Sequence, residues 1–160
     1  FIITNIPKVG IGIATADCLP IIIYDSSRHV IAAIHAGWQG SLQKIAVKAL
    51  QTMQKKFKTD IEYLKIFFGP CASVEFYEVK ADFLDHFSQC SFAKKVLITK
   101  KNSFYFNLSL YNQLLLEEAG VKKNSFNLNY NFCTISNHSF CSYRRDGQQS
   151  KRQMTIAALR

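Results

Sequence analysis

Near the start of the chain, the hydrophobic positions fall into three short runs at strand spacing. Residues 9–16 (VGIGIATA), 20–24 (PIIIY) and 29–34 (HVIAAI) are rich in β-branched and small apolar side chains. Residues 25–27 (DSS) supply turn chemistry between the second and third runs. The pattern predicts three strands, of which the last two form a β-hairpin.

Helical spacing of the apolar positions begins after residue 40. Ser41 is expected to cap a helix over residues 42–57, in which apolar side chains recur every three or four positions. A second helix is predicted over residues 79–87. A third is expected to follow a cap at Asn107 and to end at Gly120.

Further strands are predicted between and after these helices. They cover residues 63–70, 103–107, 125–135 and 153–159, with a polar loop over 136–152. Strands interleaved with helices indicate the α/β class, as a mixed sheet sandwiched with helices. No repeat, low-complexity tract or linker divides the chain, so we expect residues 1–160 to form a single domain that lacks its N-terminal part.

The formal net charge of +9 does not by itself indicate nucleic-acid binding. The lysines are spread over residues 44–58, 94–101 and 122–123, and no helix-turn-helix, zinc-finger or RNP pattern accompanies them. Attraction to an anionic small substrate explains the charge equally well. No window approaches the run of about 18 apolar residues that a membrane span needs, so no membrane association is expected.

The five cysteines form an odd set without a CxxC pair, and we expect no signal peptide. Such a set favours reduced thiols in the cytoplasm. Cys90 and Cys133 are expected to be small buried hydrophobic residues.

Cys18 and His35 are the first candidates for chemistry. Each lies where a predicted strand ends, and ends of strands are where α/β proteins place ligand sites. If the hairpin forms, both side chains emerge at the same edge of the sheet. The residues alone leave three interpretations open: part of a metal site, a Cys–His catalytic pair, or two core residues without chemistry.

Four motifs, TADCLPI, HAGWQG, GPC…FYEV and SYRRDG, occur in the order seen in the laccase-domain or polyphenol oxidase family. The chain resembles this family from about residue 4 to residue 159. The family is also described as YfiH-like, zinc-containing purine nucleoside phosphorylases with adenosine deaminase activity. The resemblance implies an enzyme acting on adenosine, inosine or guanosine with phosphate.

The resemblance also implies a metal centre, with Cys18 and His35 as two zinc ligands. The family's third ligand, a histidine in a QVHG motif, has no counterpart in this sequence. We place His29 inside the third strand and His86 on a half-exposed helix, and neither is expected to bind metal. His138 is the best local substitute.

Arg144, Arg145 and Asp146 are the candidates for phosphate and ribose. Arginines offer permanent charge and fork-shaped donors suited to phosphate, and Asp146 could orient an arginine or accept from a ribose hydroxyl. A solvated turn is the alternative for this motif. The predicted catalytic set is Cys18, His35, Arg145 and Asp146, with Arg144 and Arg145 on phosphate.

Other motif positions have two interpretations each. Asp17 is either a turn former or a support for a neighbouring ligand, and Trp38 is either a face for a purine or an anchor for its loop. Tyr77 and Glu78 open the second helix. Gln39 replaces an arginine that is usual in the family. The family commonly has a Gly-Arg pair before the last strand, whereas in this sequence Lys151 precedes Arg152.

Three alternatives to zinc-dependent nucleoside cleavage stay open. The first is a Cys–His hydrolase in which Cys18 is the nucleophile and His35 its base. The second is copper-dependent phenol oxidation, the older family label, for which one thiol and one imidazole are too few ligands. The third is an inactive remnant or a binding module. A homodimer is the assembly to test.

Overall fold

Two long buried strands form the centre of the structure, a computed structural model that describes residues 1–160. β3 (Leu19–Asp25) and β4 (Val30–Ala36) pair antiparallel, and nearly all their side chains are buried. The Asp25 carboxylate closes the hairpin, since it accepts hydrogen bonds from the Ser27 and Arg28 amides. The predicted hairpin is therefore present.

Three shorter strands extend this hairpin into a five-stranded mixed sheet. β1 (Ile2–Thr4) pairs with β4, β5 (Leu64–Phe68) pairs with β3, and β9 (Phe126–Asn127) adds parallel to β5. The strand order is β1-β4-β3-β5-β9.

Helices cover one face of this sheet, and a two-stranded ribbon covers part of the other. α1 (Trp38–Leu42), α2 (Ile45–Phe57) and α4 (Leu108–Glu118) lie over the helical face and share its main core. On the opposite face, β2 (Gly10–Thr15) pairs antiparallel with β10 (Gln153–Ala158). The apolar residues between ribbon and sheet are Ile11, Ile13, Ile22, Ile31, Ala33 and Leu159. The mixed α/β class predicted from the sequence is confirmed.

A small third sheet forms one wall beside the helices. β6 (Glu78–Val79), β7 (Leu97–Lys100) and β8 (Ser103–Phe106) are arranged in the order β6-β8-β7. A 3₁₀ helix (Ala81–Phe87) and the single-turn α3 (Ala93–Val96) connect β6 to β7. No helix in the structure has the length and apolarity that a membrane crossing requires.

Several predicted elements differ from the structure in the helical half. The helix expected over 42–57 is split at Lys44, whose φ of 57° is left-handed. Ser41 does not cap it, because Ser41 lies buried inside α1 and accepts a hydrogen bond from Asn112. The Asn107 cap is present, with its side chain accepting from the Leu110 amide. The helix predicted over 79–87 is a 3₁₀ helix.

Other predictions fail because local polar side chains offer the backbone different partners. Of the strand expected over 125–135, only β9 forms; Asn127 then accepts from the Asn129 amide and turns the chain.

His29 lies in the hairpin turn with a φ of 50° and not inside the strand. Cys90 and Cys133 are only partly buried, which corrects the expectation that both are core residues.

Candidate functional site

Cys18 and His35 meet at one end of the central hairpin. Leu19 lies opposite Ala36 and Pro20 opposite His35, so the register continues to Cys18 opposite Gly37. Cys18 and Gly37 lie just outside the two strands, and a Cβ built at Gly37 would meet Cys18 Sγ, so the thiol lies beside the residue two positions after His35. The structure thus brings the two residues together at a common edge.

Gly37 leaves room for the thiol. A Cβ at this position would lie 2.9 Å from Cys18 Sγ, closer than real side chains approach. The backbone of Gly37 is extended, with a φ of −75°, so its geometry alone would accept any residue. The glycine is therefore needed here for space, because the Cys18 side chain fills the volume where another residue would have its Cβ.

The surroundings favour the neutral forms of both groups. Burial raises the pKa of the Cys18 thiol, the Asp17 charge raises it further, and the Arg152 charge lowers it. Partial burial of the imidazole lowers the pKa of His35, and the Arg152 charge acts in the same direction. A neutral imidazole is the form that binds a metal. A protonated thiol is a poor free nucleophile.

No third ligand completes a metal centre within residues 1–160. No group of three or more His, Cys, Asp or Glu side chains could hold an ion. His29 lies in the turn at the far end of the hairpin, His86 lies against Trp38, and His138 lies beside Arg145 and Asp146. Cys18 and His35 therefore provide two donors of a type that suits zinc, one fewer than catalytic zinc usually has.

Asp17 joins three of the four sequence motifs. Its carboxylate accepts from the Thr134 hydroxyl and from the Arg144 amide, each at 2.6 Å. Its carbonyl oxygen accepts from the Ala72 amide at 2.9 Å. The residue has a left-handed φ of 78°. Asp17 therefore positions the turn that carries Cys18, as one of its two interpretations proposed.

Arg145 has no free donor. Its side chain, 20% exposed, uses all five N–H groups: two to the carboxylate of Asp146 and three to the carbonyl oxygens of Thr134, Ile135 and Phe140. The paired charges raise the pKa of Arg145 and lower that of Asp146 through their mutual hydrogen bonds. This pair holds the loop before α5 (Tyr143–Asp146) in place.

Arg144 has the opposite environment. Its guanidinium donates one hydrogen bond, from Nη1 to the carbonyl oxygen of Glu78 at 2.9 Å, and lies 5.4 Å from the centre of the Tyr77 ring. The remaining N–H groups have no protein acceptor, and the residue is exposed. Arg144 therefore offers a positioned cation with free donors.

A cavity of about 690 Å³ lies beside these residues. Its lining includes Trp38, Tyr77, Phe83, His86 and Arg144. The Trp38 ring lies 5.3 Å from Phe83 and 5.4 Å from His86, so the wall is aromatic. Trp38 follows Gly37, the neighbour of the Cys18 thiol, in sequence, but Cys18 and His35 do not themselves line the cavity.

Tyr77 connects the cavity with the Cys–His edge. Burial raises the pKa of Tyr77 to about 12, and the nearby Cys18 contributes to the increase while Arg144 opposes it. The phenol therefore stays protonated and can donate a hydrogen bond.

Sequence reasoning did not assign three residues of this region. The sequence predicts Phe83 with Leu84 and Phe87 on one face of a helix and His86 half-exposed on that helix, and Arg152 is an uncertain match to the family. Arg152 is exposed, lies 5.7 Å from the Tyr143 ring, and its charge acts on both Cys18 and His35. The ladder between β2 and β10 places it there, since Gln153 pairs with Thr15 and Arg152 thus faces the turn before Cys18.

The fold and the site together define a mixed α/β protein with a thiol and an imidazole at one end of the hairpin and a cavity of ligand size lined by Arg144. The sequence profile of the family described as multi-copper polyphenol oxidoreductase laccase matches residues 1–160, so the chain belongs to that family. The predicted family resemblance is confirmed.

Similar proteins include ones with nucleoside-related names. The chain is 33% identical over 155 residues to a protein from Bacteroides thetaiotaomicron named purine nucleoside phosphorylase, covering 94% of this chain and 57% of that protein. It is 28% identical over 158 residues to adenosine deaminase RL5 from an unknown prokaryotic organism, covering 96% of this chain and 60% of that protein.

The fold also matches a solved structure. The hypothetical protein YfiH from Bacillus licheniformis superposes with a TM-score of 0.91 at 25% identity, covering 99% of this chain and 60% of that one. The chain thus spans about three-fifths of the length of the proteins it matches.

Proposed function

We propose that this chain takes part in phosphorolysis of purine nucleosides, with deamination of adenosine as a second activity. The observation that supports the proposal is the position of Arg144, with free donors, in the lining of a cavity whose Tyr77 lies near Cys18. Relatives named purine nucleoside phosphorylase and adenosine deaminase support the substrate class. The expected substrates are adenosine, inosine or guanosine, together with phosphate.

The metal assigned to this edge is zinc, held by Cys18 and His35. The donor types fit zinc, but the number of donors does not complete a catalytic site. Bound zinc would supply a Lewis acid at this edge. Copper, named in the family description, fits less well, because several copper ions need more ligands than one thiol and one imidazole.

Phosphate is assigned to Arg144, with Arg152, whose charge acts on Cys18, as a second cation. Arg144 has free donors and is held in place by Glu78 and Tyr77. Arg152 uses only Nη1 for protein contacts, to the carbonyl oxygens of Ser150 and Lys151, so its other donors can reach an anion. Two separated guanidinium groups can neutralise a phosphate and orient it toward the ribose.

Arg145 and Asp146 stay predicted members of the catalytic set. Their side chains bind each other and the loop at 134–140, so phosphate could reach Arg145 only by breaking existing hydrogen bonds. We therefore assign them the work of positioning Arg144, which is the adjacent residue on the same helical turn.

The nucleoside is assigned to the aromatic-walled cavity. Its volume of about 690 Å³ lies within the range of small-molecule sites. Tyr77, protonated and next to Cys18, can donate a hydrogen bond to the sugar or base, while Trp38 and Phe83 exclude water on one side. This arrangement would orient the glycosidic bond between the base in the cavity and the arginines.

Two alternative functions depend on single observations. The Cys–His hydrolase needs a thiolate, and burial raises the pKa of Cys18 away from that form. An inactive remnant is favoured by the two-donor metal edge. A cytoplasmic location and a homodimer stay predictions from the sequence.

The test is direct turnover. The protein is incubated with Zn²⁺, inosine and phosphate, and free base and ribose 1-phosphate are separated by chromatography. We expect product from the parent chain and from Cys90→Ala, a matched thiol control that does not line the cavity. Cys18→Ala should form none. Equal product from the parent and Cys18→Ala would reject the proposal.

A further inference from the structure

Cys71 and Cys133 lie directly opposite each other in an isolated parallel bridge. The Cys71 amide donates to the Phe132 carbonyl oxygen at 3.0 Å, and the Thr134 amide donates to the Cys71 carbonyl oxygen at 2.9 Å. Paired strands lie about 4.8 Å apart, which is within the range of Cα separations that a disulfide spans, about 4.4–6.8 Å. The backbone therefore already has a spacing that allows the two sulfurs to bond.

Both thiols project to the same face of this bridge. Cys71 Sγ accepts from Asn131 Nδ2 at 3.4 Å, and Asn131 lies two residues before Cys133 on the partner segment. Ser73, two residues after Cys71, hydrogen-bonds the Cys133 thiol. Residues two apart on an extended segment share a face, so Asn131 lies on the same face as Cys133, and Ser73 on the same face as Cys71. Because Cys71 contacts Asn131 and Cys133 contacts Ser73, the two thiols lie on one common face.

The two thiols have different environments. Cys71 is 2% exposed, and burial raises its pKa to about 11 despite hydrogen bonds with Ser109 and Asn131. Cys133 is partly exposed; burial alone would raise its pKa, but hydrogen bonds from Ser136 and Ser73 lower it below the ordinary value. Cys133 is thus the accessible nucleophile and Cys71 the protected partner.

We propose that Cys133 and Cys71 are an oxidation site at which hydroperoxides close a disulfide between residues 71 and 133. The Cys133 thiolate attacks one oxygen of hydrogen peroxide, and the other leaves as hydroxide, which takes up a proton to give water. The resulting sulfenic acid of Cys133 is then attacked by the Cys71 sulfur, which loses its proton. The S–S bond forms, a second water leaves, and both thiols are oxidised while one peroxide is reduced.

The disulfide would join two segments that hold the turn carrying Cys18. Ala72, next to Cys71, donates its amide to the Asp17 carbonyl oxygen, and Thr134, next to Cys133, donates its hydroxyl to the Asp17 carboxylate. Bond formation requires Cys71 to leave Ser109. The inference does not depend on the nucleoside activity, since it uses neither the metal edge nor the cavity.

The test is thiol mapping after oxidation. The reduced protein is treated with hydrogen peroxide, remaining thiols are alkylated, and peptides are identified by mass spectrometry without reduction. We expect a linked pair containing Cys71 and Cys133, which is absent in Cys133→Ser and retained in the matched control Cys90→Ser. The Cys71→Ser variant could disturb the buried bridge, so its fold is first checked by circular dichroism. If the fold is native, the sulfenic acid of Cys133 is trapped in this variant with dimedone.

A second measurement needs no variant. In the reduced native protein, alkylation of Cys71 should be at least about a hundredfold slower than that of Cys133, from its pKa of about 11 against an ordinary 9.0. A peroxide-formed linkage between Cys18 and Cys71, no linkage at all, or Cys133 reacting no faster than Cys71 would overturn the proposal.

Discussion

Replacing Gly37 by alanine tests the packing that positions the Cys18 thiol. The new Cβ would lie 2.9 Å from Sγ, 0.5 Å short of the 3.4 Å at which ordinary contact begins. Either the strand end shifts or the thiol turns to another rotamer. Overpacking costs about 1–3 kcal/mol and a displaced rotamer about 0.5–1.5 kcal/mol. We therefore expect Gly37→Ala to lower the free energy of unfolding by about 1–2 kcal/mol.

The assay is urea unfolding within a double-mutant cycle. In the Cys18→Ala background, the nearest remaining atom is the Cβ of residue 18 at 3.9 Å, so Gly37→Ala should cost almost nothing there. Gly40→Ala is the matched control, because its Cβ meets Ile45 at an ordinary 3.5 Å and alanine is the better helix former. An equal penalty for Gly37→Ala with and without the thiol would refute the reasoning.

Three further predictions concern charged residues. Asp25→Asn should lower the free energy of unfolding by about 1–3 kcal/mol, since an amide cannot accept from Ser27 and Asp60 together; unfolding followed by fluorescence measures it. Burial alone would raise the pKa of Asp25, but its hydrogen bonds lower the pKa below the ordinary 3.8. The stabilisation by the Asp25 carboxylate is therefore complete above pH 3.8 and is lost as the pH falls through the folded-state pKa. A parent chain with the same acid dependence of unfolding as Asp25→Asn would contradict this prediction. Arg144→Gln should raise the KM for phosphate and leave the free energy of unfolding almost unchanged. Arg145→Lys should speed proteolysis of the loop at 134–140, because the hydrogen bonds from Arg145 to this loop are lost. The reverse pattern would contradict the roles assigned to the two arginines.

The hairpin and its thiol–imidazole edge could be predicted because their cause is local. β-Branched runs flank a turn, and an antiparallel pair with a short turn has one register that buries both strands. The two residues at the open end then meet as a consequence. The same logic failed for residues 125–135, where alternating hydrophobicity is overridden by asparagine side chains. Asn131, for example, donates to the Gly69 carbonyl oxygen and fixes a loop.

The division of work between Arg144 and Arg145 could not be predicted from the sequence. The residues are identical in type and adjacent, and only the fold decides that one guanidinium meets three carbonyl oxygens and Asp146 while the other faces the cavity. His86 was hidden for a similar reason, because its contact with Trp38 joins segments almost fifty positions apart. Such long-range contacts leave no local pattern to detect.

Cobalt binding tests most directly whether one ion reaches both Cys18 and His35. Co²⁺ in excess serves as a coloured substitute for zinc, and bonding to a thiolate gives an absorption band in the near ultraviolet. We predict a band that is lost in both Cys18→Ser and His35→Ala and kept in Cys90→Ser and His86→Ala. No band in the parent chain, or a band that survives loss of His35, would contradict a shared metal edge.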